Sequence, residues 1–138
     1  MFRFKTIEHT ADVGIEVEAG SLPELFEGAA HAMFSLVVDE EQVNRGVERA
    51  VRLEAADPEE LMFRWLNELV FLVSGEGLVL REFEVRTVTD RAIDAVVSGE
   101  PIDTSRHDLG LEVKAATYHE LEVSRRGEGW FARAIFDV

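Results

Sequence analysis

The strongest constraint on the fold is the apolar segment 61–73, which reads LMFRWLNELVFLV. Only three of its residues are polar, namely Arg64, Asn67 and Glu68. Asp57 followed by Pro58 is typical of a helix start, because aspartate caps free amides and proline fits the first turn. The pattern therefore predicts a helix that runs to about Ser74. A helix with so narrow a polar stripe must be covered on several sides or offer a binding surface, and we favour burial.

The rest of the sequence supplies elements that can cover this helix. Ser21 with Glu24 three residues later forms a capping box, and apolar residues at helical spacing follow it to about Val37. Alternating apolar residues predict strands elsewhere. The predicted strands are 2–8, 13–18, 47–56, 78–89, 92–98, 111–116, 119–124 and 130–138. We expect a single α+β domain over residues 1–138, in which two helices pack in a second layer on a largely antiparallel or mixed β-sheet.

Composition narrows the classes of function. The chain has 28 acidic and 14 basic side chains and a net charge of −14. Such a surface repels phosphate backbones, so we expect no direct nucleic-acid binding, whereas a basic partner protein or bound cations would suit it. Cysteine is absent, which excludes disulfides and thiolate chemistry and favours a reducing compartment. No apolar run approaches the roughly 18 residues of a membrane span, and the first residues do not resemble a signal peptide. We therefore expect a cytoplasmic protein.

The first candidate site is the polar segment His9-Thr10-Ala11-Asp12 between the first two predicted strands. On the residues alone, a tight turn is the favoured interpretation, with Asp12 capping local amides and His9 at the surface. The functional alternative makes Asp12 a ligand for a hard cation on a loop that two strands hold in place.

The second candidate is residues 112–119, where a predicted strand ends in a polar corner that contains His119. Lys114 is one of only two lysines beside twelve arginines, and it shares a strand face with Glu112. An exposed Glu–Lys pair would contribute little to stability. The alternative is that the Lys114 ammonium lies beside a carboxylate site, where it contacts phosphate or acidic groups.

The third candidate is the apolar last strand, which ends in Asp137 and Val138. A frayed terminus would give these residues no role. If the terminus is ordered, Asp137, the Val138 carbonyl and the terminal carboxylate are adjacent oxygen ligands for Ca²⁺ or Mg²⁺. The polar loop 99–108 is interpreted as solvated. The sequence contains no nucleophile elbow, phosphate-binding loop or dinucleotide fingerprint.

Five separated segments together resemble the archease family, in order and over essentially the whole chain. They are Ile7-Glu8-His9-Thr10-Ala11-Asp12, Leu25-Phe26 with Ala29-Ala30, Trp65-Leu66-Asn67-Glu68, Lys114-Ala115-Ala116-Thr117-Tyr118-His119, and Gly129-Trp130 with Asp137-Val138. The resemblance implies an α+β fold and a protein that is not itself an enzyme. It also implies a partner, the RtcB-class RNA ligase that joins tRNA halves during tRNA splicing. Archeases promote guanylylation of that ligase, allow it multiple turnover and broaden its nucleotide use.

The same resemblance assigns roles to individual residues. Asp12, Asp137 and the Val138 carbonyl match the family's metal ligands, with Ca²⁺ as the implied ion and Mg²⁺ or Mn²⁺ as alternatives. Lys114 matches a lysine that is important for ligase activation, and His9 and His119 are further functional candidates. Because the sequence ends at Val138, directly after a metal-site position, we expect a terminal carboxylate to change the charge and affinity of that site.

Two other classes of function stay open. A general chaperone-like modulator of nucleic-acid-processing proteins would use the apolar second helix, and would not need Asp12 or Lys114. A small metal-dependent hydrolase would use Asp12, Asp137 and His119, and only this class would turn over nucleotides or RNA ends without a partner.

Overall fold

The computed structural model describes residues 1–8 and 12–138, which contain eight strands, two α-helices and one short 3₁₀ helix. The strands are β1 (Phe2–Glu8), β2 (Val13–Ala19), β3 (Val47–Glu54), β4 (Leu78–Val88), β5 (Ala92–Pro101), β6 (Ala115–Ala116), β7 (Glu122–Arg126) and β8 (Gly129–Asp137). The helices are α1 (Leu22–Val37) and α2 (Pro58–Ser74), and the 3₁₀ helix is Glu40–Gln42.

The strands form two antiparallel sheets that share the two helices. In the five-stranded sheet the order is β1-β2-β8-β6, with β7 also paired to β8, and in the three-stranded sheet the order is β3-β5-β4. Helix α1 packs on β1, β2 and β8 of the first sheet and on β4 of the second, while α2 contacts strands of both. The predicted α+β class is confirmed. The structure adds that the strands divide into two sheets, because each helix is apolar on more than one side.

Both predicted helix starts are confirmed. The Ser21 hydroxyl accepts a hydrogen bond from the Glu24 amide at 3.4 Å, and an Asp57 carboxylate oxygen accepts one from the Glu60 amide at 2.8 Å. Each satisfies an amide that the helix itself leaves unpaired, which contributes about 1 kcal/mol. The two caps fix where the apolar faces of α1 and α2 begin.

The apolar segment of α2 is buried, as expected. Seven α2 residues are buried: Leu61, Met62, Trp65, Leu66, Leu69, Val70 and Leu72. Trp65 is completely buried, and its indole nitrogen donates a hydrogen bond to the Phe26 carbonyl of α1 at 2.9 Å. Of the other apolar residues in this segment, Phe63 and Val73 are half-buried and Phe71 is 53% exposed.

Two predicted strands begin later than expected. Residues 111–114 lie outside any strand, because the amides of Gly110 and Leu111 donate to the carbonyls of Val37 and Leu36 at the end of α1, both at 2.8 Å. Only Ala115–Ala116 of the predicted strand 111–116 pairs, with β8. Likewise, the strand predicted from residue 119 begins at Glu122 as β7, after a turn.

The interpretation of residues 99–108 as a solvated loop is wrong in part. Gly99–Pro101 end β5, and His107 is only 4% exposed. The His107 Nδ1 accepts a hydrogen bond from the Asp103 amide at 2.9 Å, so its Nε2–H donates to Glu100 at 3.0 Å. Hydrogen bonds from the Arg106 side chain and from the Asn44 amide hold the pKa of Glu100 down at about 2. These contacts give both imidazole nitrogens hydrogen-bond partners, which a buried polar side chain requires.

Candidate functional site

The candidate site lies where β2 starts and β8 ends. The ladder between these strands runs to the pair Val13 and Phe136, so Asp12 and Asp137 follow immediately beyond its last pair. Asp12 is half-buried and Asp137 is exposed. The antiparallel register therefore brings together the two ends of the sequence that carry the predicted metal ligands.

Lys114 joins the same end of the sheet through its backbone. Its amide donates a hydrogen bond to the Asp137 carbonyl at 2.7 Å, and Ala115 pairs with Asp137 in the β6–β8 ladder. The side chain is exposed. Lys5 pairs with Glu16 at 3.2 Å, whereas the Lys114 ammonium forms no ion pair within residues 1–8 and 12–138. The backbone of Lys114 is therefore fixed to Asp137, and its exposed ammonium has no carboxylate partner within 4 Å among the residues that the structure describes.

Asn67 of α2 holds this segment in place. Its Nδ2 donates to the carbonyls of Ala116 and Phe63 at 3.1 and 3.0 Å, and its Oδ1 accepts from the Ala116 amide at 2.9 Å. On the edge of β6 that does not pair with β8, the Asn67 side chain therefore makes the two hydrogen bonds that a neighbouring strand would make. In the sequence, Asn67 interrupts an apolar helix, and that polar interruption is the available signal for this role.

The turn after β6 is also anchored. The amide and the hydroxyl of Thr117 both donate to the Ile135 carbonyl, at 3.0 and 2.9 Å. The Tyr118 ring stacks on Phe63 of α2, with ring centroids 3.9 Å apart and planes inclined by 8°. These contacts fix the direction in which the chain continues into His119.

A possible cation-binding group forms at this turn from Asp12, His119 and Glu120. Each residue offers one ligand atom, and the three atoms lie within 4.8 Å of one another. Glu120 has a φ of 52°, a left-handed conformation that costs a non-glycine residue about 1 kcal/mol. Its carboxylate lies 3.2 Å from the His119 Nε2. Glu120 was missed at the sequence level, although its position next to His119 was a visible signal.

The structure places the other predicted residues as follows. Asp137 is not a member of the group of three, and Val138 is 46% exposed at the end of β8. His9 lies outside the described residues. Across residues 1–8 and 12–138, no helix combines the length and the apolar character that crossing a membrane requires.

Fold and site together define an acidic α+β protein whose sheet carries carboxylates, an imidazole and an exposed lysine at one end. Comparison with known sequences agrees: the model of the "Archease protein family (MTH1598/TM1083)" matches residues 4–138. Archease from Pyrococcus abyssi is 37% identical over 142 residues, with 100% of both chains covered. Archease from Methanosarcina mazei is 34% identical over 140 residues, covering 99% of this chain and 96% of the relative.

Two solved structures are similar. The solution structure of Methanobacterium thermoautotrophicum protein 1598 superimposes with a TM-score of 0.82 at 31% identity, and 98% of each chain is covered. The crystal structure of an archease from Thermotoga maritima, described as a possible chaperone, gives a TM-score of 0.61 at 21% identity. It covers 97% of this chain and 96% of its own, and shows the fold alone. This chain belongs to the archease family.

Proposed function

We propose that this protein is a cytoplasmic activator of an RtcB-class RNA ligase in tRNA splicing, and that it acts as one domain over residues 1–138 without being an enzyme. The family match over residues 4–138 is the observation that carries this proposal. The activator promotes guanylylation of the ligase's active-site histidine, allows multiple turnover and broadens nucleotide use.

The arrangement of Lys114 and the carboxylates supports a mechanism. Loading a histidine with GMP requires the triphosphate, divalent cations and the imidazole to be held in line. The exposed Lys114 ammonium is a compact charge that suits a phosphate oxygen, and its backbone is fixed to Asp137. An activator that binds the aligned state of the ligase more tightly than the other states shifts the ligase toward alignment.

The net charge supports docking on a protein and argues against direct contact with RNA. The chain carries −14, and a ligase that binds RNA has a basic surface. Opposite charges accelerate association, and exposed ion pairs exchange quickly and weaken with salt. A partner that must leave between rounds of catalysis benefits from both properties.

A divalent cation fits the site in two ways that share Asp12. With Asp137 and the Val138 carbonyl, Asp12 makes the all-oxygen set that Ca²⁺ or Mg²⁺ prefers. With His119 and Glu120, it makes a mixed oxygen and nitrogen set in which the imidazole favours a transition metal such as Mn²⁺. We propose the all-oxygen set with Ca²⁺, as the family resemblance implies. The bound cation would supply positive charge next to Lys114.

Calorimetry separates the two ligand sets. Asp12→Ala should abolish Ca²⁺ binding, and Asp137→Ala should do the same, with unchanged thermal unfolding of the metal-free protein. His119→Ala is the matched control and should leave Ca²⁺ affinity within about threefold. If His119→Ala abolishes binding and Asp137→Ala does not, the mixed set is the site.

A turnover assay tests the activity. A substoichiometric amount of this protein, added to the ligase with GTP, Mn²⁺ and cleaved tRNA halves, should convert a single turnover into multiple turnovers. It should also permit sealing with other nucleoside triphosphates. The protein alone should change neither nucleotides nor RNA ends, and turnover by the protein alone would favour the hydrolase that uses Asp12, Asp137 and His119. The chaperone alternative loses most of its surface, because α2 exposes Phe71 but buries seven other residues.

A further inference from the structure

A cavity of about 420 Å³ opens between the C-terminal halves of α1 and α2 and the segment 109–114. Most of its wall is apolar and comes from Met33, Val37, Val70, Val73, Leu109 and Leu111. Pockets that bind small molecules or side-chain anchors have volumes of roughly 300–1,000 Å³ and walls of this kind. The cavity is therefore large enough for one bulky apolar side chain.

Backbone hydrogen bonds hold the outer wall of the cavity at both ends. Gly110 and Leu111 donate to the last turn of α1 at 2.8 Å, and Lys114 donates to Asp137 at 2.7 Å. A wall fixed in this way exists before any partner arrives, so little conformational entropy is lost when the cavity is filled. Yet Leu109 and Leu111 are 46% and 37% exposed on its rim. Neighbouring exposed apolar side chains beside a concave site are typical of an interaction surface.

Two features of the rim indicate what fills the cavity. Lys114 lines it, so the cavity is continuous with the surface that the proposed function places against the ligase. Glu112 also lies on the rim, and the protein as a whole carries −14. Glu112 and Lys114 balance each other at the opening, but the rest of the protein is strongly acidic, so a segment rich in lysine or arginine is the best carrier for an apolar side chain that enters here.

We propose that this cavity receives one apolar side chain from a basic segment of the ligase, and that the anchored segment positions Lys114 at the ligase active site. The inference rests on the proposed function and adds the docking surface to it. Buried apolar anchors carry most of the binding energy in protein interfaces, whereas exposed charges mainly accelerate association. Filling the cavity therefore provides most of the affinity for the ligase, and the acidic surface increases the rate of association.

A thiol footprint tests the docking surface. The chain has no cysteine, so Leu111→Cys and the control Phe4→Cys each carry one thiol. Leu111 and Phe4 are similarly exposed, at 37% and 41%, but Phe4 lies on β1, away from the cavity. A saturating amount of ligase should slow alkylation of the thiol at position 111 at least tenfold, followed by intact mass, and should leave position 4 unchanged. Equal rates at position 111 with and without ligase would overturn the proposal.

A binding measurement provides a second, independent check. Leu111→Asp should raise the Kd for the ligase about tenfold, whereas Phe4→Asp should change it less than twofold, with both variants shown to be folded by circular dichroism. If an apolar dye fills the cavity and ligase binding does not displace it, the cavity is a small-molecule site and the proposal is wrong. If the wild-type protein activates the ligase but the ligase does not protect the thiol of Leu111→Cys, the docking surface is wrong and the proposed function stands. Wild-type protein that neither binds nor activates refutes the proposed function.

Discussion

Replacing Asn67 with alanine should damage the candidate site without touching any residue that faces a partner. The Asn67 amide makes two hydrogen bonds to Ala116, at 2.9 and 3.1 Å, and Ala116 is only 3% exposed. Removing the side chain leaves the buried amide and carbonyl of Ala116 without partners, which costs about 1.5–2 kcal/mol for each group. The expected loss in free energy of unfolding is therefore about 3–4 kcal/mol, a large fraction of a typical domain's stability.

The assay compares Asn67→Ala with Asn44→Ala, a change at the only other asparagine. Asn44 is exposed, and its contact with Glu100 comes from its backbone amide, which alanine retains. Urea unfolding should show the full loss for Asn67→Ala and less than about 0.5 kcal/mol for Asn44→Ala. Ligase activation should also fall for Asn67→Ala at temperatures where it is fully folded, because β6 no longer fixes Lys114. Equal stabilities for the two variants would refute the reasoning.

Three further predictions concern single charges and the ionic environment. Lys114→Ala should abolish ligase activation with a change in unfolding temperature of less than about 2 °C, and Lys114→Arg should restore little, because a planar guanidinium directs its donors differently from an ammonium. A Lys114→Ala variant that unfolds would make the residue structural. For Glu100, the folded pKa of about 2 lies below the ordinary 4.5. Its stabilising contribution is therefore fully present above pH 4.5 and is lost as the pH falls toward 2. The difference in urea midpoint between wild type and Glu100→Gln should shrink over that range, and a difference independent of pH would contradict the assignment. Raising salt should weaken activation before it affects the ligase's own metal chemistry, and a salt-independent activation would exclude charge-driven exchange.

The elements that the sequence predicted well are those with local signals. The start of α2 depends on Asp57 and Pro58, which act on adjacent amides, and the burial of α2 follows from its own composition. The class of fold, the eight strands and the approximate positions of most of them follow from short-range periodicity as well. In each case, the residues that determine the feature are close in sequence to the pattern that predicts it.

The features that were missed depend on contacts between distant residues. Leu111 and Val113 alternate like a strand, yet the amides nearby bond to the end of α1, more than 70 residues earlier in the chain. Asn67 and Ala116 are 49 residues apart. The division into two sheets likewise depends on which strands pair, and alternation alone does not specify partners.

For the candidate site, the sequence identifies separate segments but not how they come together. Asp12, Lys114 and Asp137 were each recognised in their own segment, and the register of β2, β8 and β6 then determines that they share one end of a sheet. The approach of Glu120 to His119 depends on a left-handed residue in a turn, which the sequence does not mark with glycine or asparagine.

The most direct test of the central claim is the rate at which the ligase histidine acquires GMP. Ligase is incubated with labelled GTP and Mn²⁺, with and without this protein, and ligase-bound GMP is measured over time. Wild-type protein should accelerate this step, Lys114→Ala should not, and the rate of sealing by ligase already guanylylated should be unchanged. If the histidine is guanylylated equally fast without the protein, across nucleotide and metal conditions, the protein does not act as proposed.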